Sequence, residues 1–194
     1  MDLRGRKAVV FGAGLVGMRK ALYLFKEADV VIVDRQPCEV PAGIRFIRGE
    51  VLDNLHLIGG TDLVVAATGD TSTDDVIFER ARVQGKPCNR SDRPGDFLIP
   101  SVVEKRNYTI AVSTLGRSPG MSRYIRLLLE RDLSASIEDM VDLSERLREE
   151  LRETFPDPAD REGRIRRMLE NRHVWEALAR DQDEAWEIAK EAVK

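Results

Sequence analysis

The chain has 194 residues, of which 42% are hydrophobic and 34% charged, with a formal net charge of −3. That size suits one ordinary domain, or a core domain with an appendage. No apolar run approaches the roughly 18 residues of a membrane span, and the acidic balance gives no sign of nucleic-acid binding.

The start, MDLRGRKAVV, leads almost at once into a strand, with no signal-peptide pattern. Cys38 and Cys88 lack metal-ligand spacing and fit reduced thiols, so a cytoplasmic location is expected. Ala8–Phe11 is a short apolar run suited to a strand buried on both faces. Gly12, Gly14 and Gly17 then form G-x-G-x-x-G. Met18, Ala21, Leu22 and Phe25 follow at helical spacing. Val30–Val33 is a second strand, closed by Asp34, which lies 20 residues after Gly14.

This order predicts a dinucleotide site. Gly12 permits a sharp turn, Gly14 lets backbone amides approach a pyrophosphate, and Gly17 permits close helix–strand packing. The helix start at Leu15 and Val16 offers free N–H groups to phosphate. Asp34 is placed to accept bonds from a ribose 2′-OH, which favours NAD over NADP. Arg35 beside it weakens that preference, because a guanidinium also suits a 2′-phosphate.

Farther on, Ile44–Ile47 reads as a third strand and Val51–Ile58 as a short helix ended by Gly59-Gly60. Asp62–Thr68 is another buried strand. A helix with Val76, Ile77, Ala81 and Val83 on its apolar face runs to Gln84, and Pro87–Asn89 is a brief strand. Such alternation implies a parallel sheet with right-handed crossovers. Ligands of these sheets bind beyond the carboxyl ends of the strands. The glycine turn, Asp34, Thr68 and Asn89–Asp92 all lie at such ends.

Phe97–Val103 is apolar but broken by Pro100, and Tyr108–Thr114 reads as another strand, with a turn between them at Arg106-Asn107. Ser118-Pro119 starts a helix with Met121, Ile125, Leu128 and Leu129 as its buried stripe. Then Ile137, Met140, Ser144, Leu147 and Leu151 step by three and four, near a heptad seam. A long helix of this kind at a domain edge predicts a homodimer contact, with packing inside the same chain as the alternative. Phe155-Pro-Asp-Pro stops it, and helices over Ala159–Leu178 and Asp183–Val193 follow. From Ser144 onward 25 of 51 residues are charged, which suggests a small helical cap domain. The expected divisions are a Rossmann-like domain over 1–113, a dimerisation and cleft region over 114–154, and a helical domain over 155–194.

Charge is unevenly spread. Lys86 to Arg131 holds nine basic and four acidic residues, a local excess of +5. In an acidic protein this points to an anionic ligand or to chance clustering on a solvated face. Asp92, in Cys88–Pro100 (CNRSDRPGDFLIP), reads either as a turn residue or as a proton acceptor beside the cleft.

Several of these segments together resemble one family, the precorrin-2 dehydrogenase / sirohydrochlorin ferrochelatase family, the amino-terminal module of siroheme synthases. GAGLVGMRK is similar to its GGG-x-V-A-x-R-K and VVAATGD to its I-A-A-T-D-D. CNRSDRP is similar to its N-x-x-D-x-P, FLIPS to its F-x-x-P-S/A, VSTLGRSPGMSR to its S-T/S-G-G-x-S-P-x-x-A-R, and RRMLENRHVWEAL to its R-R-x-F-W-E region. The resemblance implies NAD-dependent oxidation of precorrin-2 to sirohydrochlorin, with Fe2+ or Co2+ insertion in some members. It assigns the acid/base role to Asp92. It also implies substrate contacts at Asn89 and Thr114, and gives Arg93, Arg117 and Arg123 a polycarboxylate tetrapyrrole to bind. The sequence offers no His/Cys cluster for a resident metal. Two departures stand out: Leu115-Gly116 replaces the family's Gly-Gly, and Arg90-Ser91 replaces a small apolar pair. A different class, an NAD-sensing regulatory module without catalysis, shares the glycine fingerprint but does not explain the later motifs.

Overall fold

The computed structural model describes residues 2–194. Its contacts divide the chain into two compact units. The first runs to Ile99 and includes Leu115–Arg117; the second comprises Pro100–Thr114 and Ser118–Lys194. The division falls at Ile99, not near 113 as expected, because the hairpin after it packs on the helix of its own unit.

The first unit is α/β. Its strands are β1 (Lys7–Phe11), β2 (Asp29–Asp34), β3 (Arg45–Arg48), β4 (Leu63–Ala66) and β5 (Cys88–Arg90). They form one parallel sheet in the order β3-β2-β1-β4-β5. Helices α1 (Leu15–Phe25) and α2 (Thr71–Val83) and a 3₁₀ helix (Leu52–Gly60) complete the unit. The alternating directions of side chains along β1 explain the two cores. Ala8 and Val10 join Ala21, Leu24 and Ile32 on one face, while Val9 and Phe11 join Val64, Ile77 and Ala81 on the other. A strand buried on both faces has no polar position to offer, which is why it reads as an unbroken apolar run. Each such side chain contributes about 1.5–3 kcal/mol by leaving water.

The sheet order places the crevice. β1 pairs with β2 on one side and with β4 on the other, so successive connections leave β1 in opposite directions. The loops beyond its carboxyl end are therefore splayed apart, and ligands of such sheets bind there.

The helices are less regular than their periodicity suggests. On α1 the buried residues are Gly17, Ala21 and Leu24, and Leu22 is exposed. On α2, Val76 and Val83 are exposed, while Asp74 is buried.

In the second unit, β6 (Ser101–Glu104) and β7 (Thr109–Val112) form an antiparallel hairpin. Phe97–Pro100, the part of the apolar run up to its proline, is outside that first strand. The helices are α3 (Pro119–Asp132), α4 (Ser136–Thr154), α5 (Pro158–Glu170), α6 (Arg172–Leu178) and α7 (Gln182–Ala192). α3 starts at a serine cap followed by proline, as its sequence predicts. Of its expected stripe, Met121 is exposed while Ile125, Leu128 and Leu129 are half-buried; Tyr124 and Leu127, which lie off that stripe, are exposed, and only Ser122 is fully buried.

α4 behaves in the opposite way. Its apolar residues, expected to face a partner chain, are covered by the helices that follow. Met140, Leu143, Leu147 and Leu151 share one core with Ile165, Met168, Val174, Ala177 and Trp186. The expected single helix over Ala159–Leu178 is broken at Asn171, whose side chain accepts from His173 N–H and caps α6. Asparagine is among the best residues for this cap, and the local bond outcompetes helix continuation. The Arg106-Asn107 turn is tied to α4 by bonds to Glu138 and Asp142.

Candidate dinucleotide site and the strand-end network

Backbone packing dictates the glycines of the first turn. Gly12 has φ +103°, and a Cβ there would lie 2.2 Å from the carbonyl oxygen of Ala67. A Cβ on Gly17 would lie 2.0 Å from the carbonyl oxygen of Gly12. Gly14 differs, since a Cβ there would meet nothing within 4 Å. Its space is open on the side a ligand would approach. Gly14 is the N-cap of α1 and contributes no side-chain cap, so the first-turn amides from Leu15 onward face outward with the positive end of the helix.

Beside this turn lies a cleft of about 300 Å³ lined by Gly12, Asp34, Arg35, Glu50, Val51, Leu52, Thr68, Asp70 and Thr73. Asp34 is more than a lining residue. One carboxylate oxygen accepts from Ala13 N–H at 2.6 Å and the other from Gln36 N–H at 2.8 Å. It thereby ties the glycine turn to the end of β2, with lone pairs left over for a diol. Thr68 is held from below by the buried Asp74, whose Oδ1 accepts from Thr68 N–H at 3.1 Å and from Thr68 Oγ1 at 2.7 Å. Asp70 caps α2 by accepting from Thr73 N–H, Thr73 Oγ1 and Ser72 Oγ. These bonds, the Thr73 hydroxyl's first, pull its carboxyl down to about 2. The predicted cofactor residues Gly12, Asp34, Arg35 and Thr68 thus line one cleft, with Gly14, Leu15, Val16 and Gly17 in the turn and helix start beside it.

A second group of polar residues is assembled at the carboxyl end of β5. Asn89 and Arg90 are both buried. Arg90 grips Asp92 with two parallel bonds, Nε to Oδ1 at 2.9 Å and Nη2 to Oδ2 at 2.8 Å, and reaches Asp75 with Nη1 at 2.5 Å. Arg93 lies 3.3 Å from both Asp75 and Asp92. The Arg90 bonds hold the Asp92 carboxyl below the ordinary carboxylate range, and Asp92 in turn pushes the Arg90 guanidinium up. Asp92 is therefore an ionised group, 24% exposed at its side chain, and not a neutral acid. The turn that carries it is folded back on β5: Asp96 accepts from Cys88 N–H at 2.9 Å, and Asn89 Nδ2 donates to Phe97 O at 2.7 Å. Gly95 is required there, since a Cβ would sit 2.4 Å from Cys88 O. Burial pushes the neighbouring Cys88 thiol up to about 12, so it is no nucleophile at neutral pH.

The predicted substrate residues are divided. Asn89, Arg93 and Arg117 belong to the first unit, and Thr114 and Arg123 to the second. Thr114 Oγ1 accepts from Ser118 N–H at 3.0 Å and lies 3.0 Å from Ser122 Oγ, so it shapes the start of α3. Leu115 carries the cost of replacing a glycine, with φ +54°. Asp74, Arg90 and Lys20 are polar residues of the site that spacing alone does not single out. Lys20 stands in the motif GAGLVGMRK, which was its one signal in the sequence.

Comparison with known proteins agrees with this geometry. Residues 1–101 match the model of a family described as "Putative NAD(P)-binding". A precorrin-2 dehydrogenase from Methanosarcina barkeri is 30% identical over 200 residues, covering 97% of this chain and 89% of that protein. A siroheme synthase from Methylococcus capsulatus is 28% identical over 183 residues, covering 91% of this chain but 36% of its own length. Among solved structures, SirC, a precorrin-2 dehydrogenase, shares the fold with a TM-score of 0.72 at 20% identity, covering 98% of this chain and 97% of its own. NAD is the cofactor, and the close-packed glycines, open Gly14, uncapped α1 and Asp34 all fit it.

Proposed function

The chain belongs to the precorrin-2 dehydrogenase family, and we propose that it oxidises precorrin-2 to sirohydrochlorin. The observation that carries this reading is the reach of the similarity. It spans 97% of the chain, well past the dinucleotide domain.

The reaction removes a hydride and a proton from the macrocycle. NAD, when bound, supplies the hydride acceptor, and the protein's share is placement and electrostatics. The α1 amides and Gly14 receive the pyrophosphate, while Asp34 receives the ribose. Asp92 has two tasks. Its carboxylate stabilises the positive charge that hydride loss leaves on the macrocycle, and it takes the departing proton. Arg90 favours the first task by keeping the carboxylate ionised. Asn89, expected to touch the substrate, is instead buried and bonded to Lys20 and the Phe97 carbonyl, so it acts by anchoring the Asp92 turn; Arg93 and Arg117 receive carboxylates, a job their planar fork suits. Thr114 and Arg123 are carried over as substrate contacts from the family resemblance alone.

Two further readings have partial support. The exposed Met121, Tyr124 and Leu127 of α3 support a homodimer formed through that helix. The free thiols Cys38 and Cys88 suit a cytoplasmic setting, and among the described residues no helix is long and apolar enough to cross a membrane. Metal insertion lies outside the proposed reaction. Among the described residues no group of three or more His, Cys, Asp or Glu is arranged to hold a metal ion.

Anaerobic incubation with freshly made precorrin-2 and NAD is the test. NADH and the visible spectrum of sirohydrochlorin should rise together. NAD binding with no spectral change would instead identify a regulatory module. Adding Fe2+ or Co2+ afterwards, against a no-enzyme control, reads chelation separately. Asp92→Asn should lower turnover by about 100-fold at unchanged NAD affinity. The sign of the pH dependence follows from the lowered Asp92 carboxyl: its contribution persists as pH falls, and is lost only below the usual carboxylate range of about 4. An acidic limb near neutrality that Asp92→Asn abolishes would contradict that assignment.

A further inference from the structure

The turn that carries Asp92 is gripped from a second element. Lys20 lies on α1, six residues after Gly14. Its Nζ donates to Asn89 Oδ1 at 2.6 Å, to Ser91 Oγ at 2.9 Å and to the carbonyl of Arg90 at 3.3 Å. An ammonium has three protons and no lone pair, so these three acceptors use it fully. All three belong to consecutive residues, the last two of β5 and the first of the turn that follows it. Its next residue is Asp92, fixed by the fork of Arg90.

The same helix begins at the candidate dinucleotide cleft. The uncapped amides at its start would hold the pyrophosphate, and Lys20 follows about 9 Å along the axis at 1.5 Å per residue. A helix is stiff over that length, so a shift at its first turn is carried to Nζ. We propose that Lys20 is a positioning residue that couples dinucleotide binding at the start of α1 to the placement of the Asp92 turn. The catalytic consequence rests on the role proposed above for Asp92; the coupling itself does not.

The charge on Lys20 governs the grip. A neutral amine has two protons and cannot donate to all three acceptors at once. Burial first, and the neighbouring Arg19 second, lower Lys20 to about 8. Asp74 on α2 and Asp92 in the turn act in the opposite direction, as anions favouring the ammonium, while Cys88 on β5 is a neutral thiol in this range. The Arg90 side chain is paired with Asp92 and Asp75, and Arg93 lies against the same two carboxylates. The grip is therefore complete at neutral pH and weakens above about 8.

Hydrogen exchange on the full chain, with and without NAD, tests this. At pH 7, NAD should slow exchange at residues 90–93 in the parent. In Lys20→Met that protection should be lost while NAD affinity stays within a few-fold and the amides after Gly14 remain protected. At pH 9 the parent should lose protection at 90–93, whereas Lys20→Arg, charged at both pH values, should keep it. Should Lys20→Met fail to fold, the comparison of parent and Lys20→Arg decides alone. Equal protection in the parent and Lys20→Met with NAD bound, or identical pH behaviour of the parent and Lys20→Arg, would overturn the coupling. In turnover, Lys20→Met should lower kcat by about 10- to 100-fold with little change in KM for NAD. A parent that binds NAD but never oxidises precorrin-2 would sink the proposed reaction, and the exchange result would still decide the coupling.

Discussion

The two units bury different kinds of side chain. The first encloses Asp74, Asn89 and Arg90 along with its apolar core, and each is hydrogen-bonded to a neighbour in the same unit. In the second, the one buried polar side chain is Ser122, and its main core is built of Leu, Met, Ala, Val, Ile and Trp from α4 to α7. Burying a charge is costly unless it is paired and hydrogen-bonded. A fold bears that cost where a particular group must be held in a particular place. The first unit therefore fixes charged groups in place through its buried polar contacts, and the second shows the economy of a helical bundle.

Three substitutions break or sharpen this contrast. Gly12→Val should have the largest effect, since its Cβ would meet the Ala67 carbonyl from a backbone conformation that valine avoids. We expect the first unit to lose about 3–5 kcal/mol. NAD binding should vanish in a fluorescence titration, and near-normal affinity would show that the turn relaxes. Leu147→Ala opens the core of the second unit and should cost about 2–4 kcal/mol in denaturant unfolding. NAD affinity should change by less than about twofold, as expected for distant, independent sites. A large loss of affinity would erase the distinction between the units. Asp34→Ala should have the smallest effect, weakening NAD by about 10-fold relative to NADP as a charged hydrogen-bond acceptor is lost. Equal loss of both cofactors would mean that Asp34 serves only to tie Ala13 and Gln36.

Local chemistry made the dinucleotide half legible in the sequence. A buried parallel strand, a glycine turn and an apolar helical stripe each reflect constraints within a few residues, and the structure realises them at Lys7–Phe11, Gly12 and Leu15–Phe25. What spacing missed depends on side-chain contacts that only the folded chain makes. Lys20 meets Asn89 across 69 positions, and Thr68 meets Asp74 only because the turn into α2 brings its first helical turn beneath β4. The α4 stripe shows the same limit. Its periodicity revealed an apolar face but carried no information on what covers it, and α5 to α7 do so from within the chain. At Asn171 the reading failed for a local reason, as helical periodicity on both sides masked a capping residue.

The central place of β1 also has a consequence in time. It is the first strand of the chain, yet its pairing with β4 joins Ala8 to Leu63 and Phe11 to Ala66. Closing loops of that length must precede any gain from the sheet, and such non-local pairing slows folding. Many contacts among α4 to α7 join helices that follow one another in the chain, α4 with α5 and α6 with α7, and these form on the faster timescale of local helical structure. On synthesis, the strand that begins the dinucleotide site thus waits for more than fifty residues to emerge before its second neighbour is available.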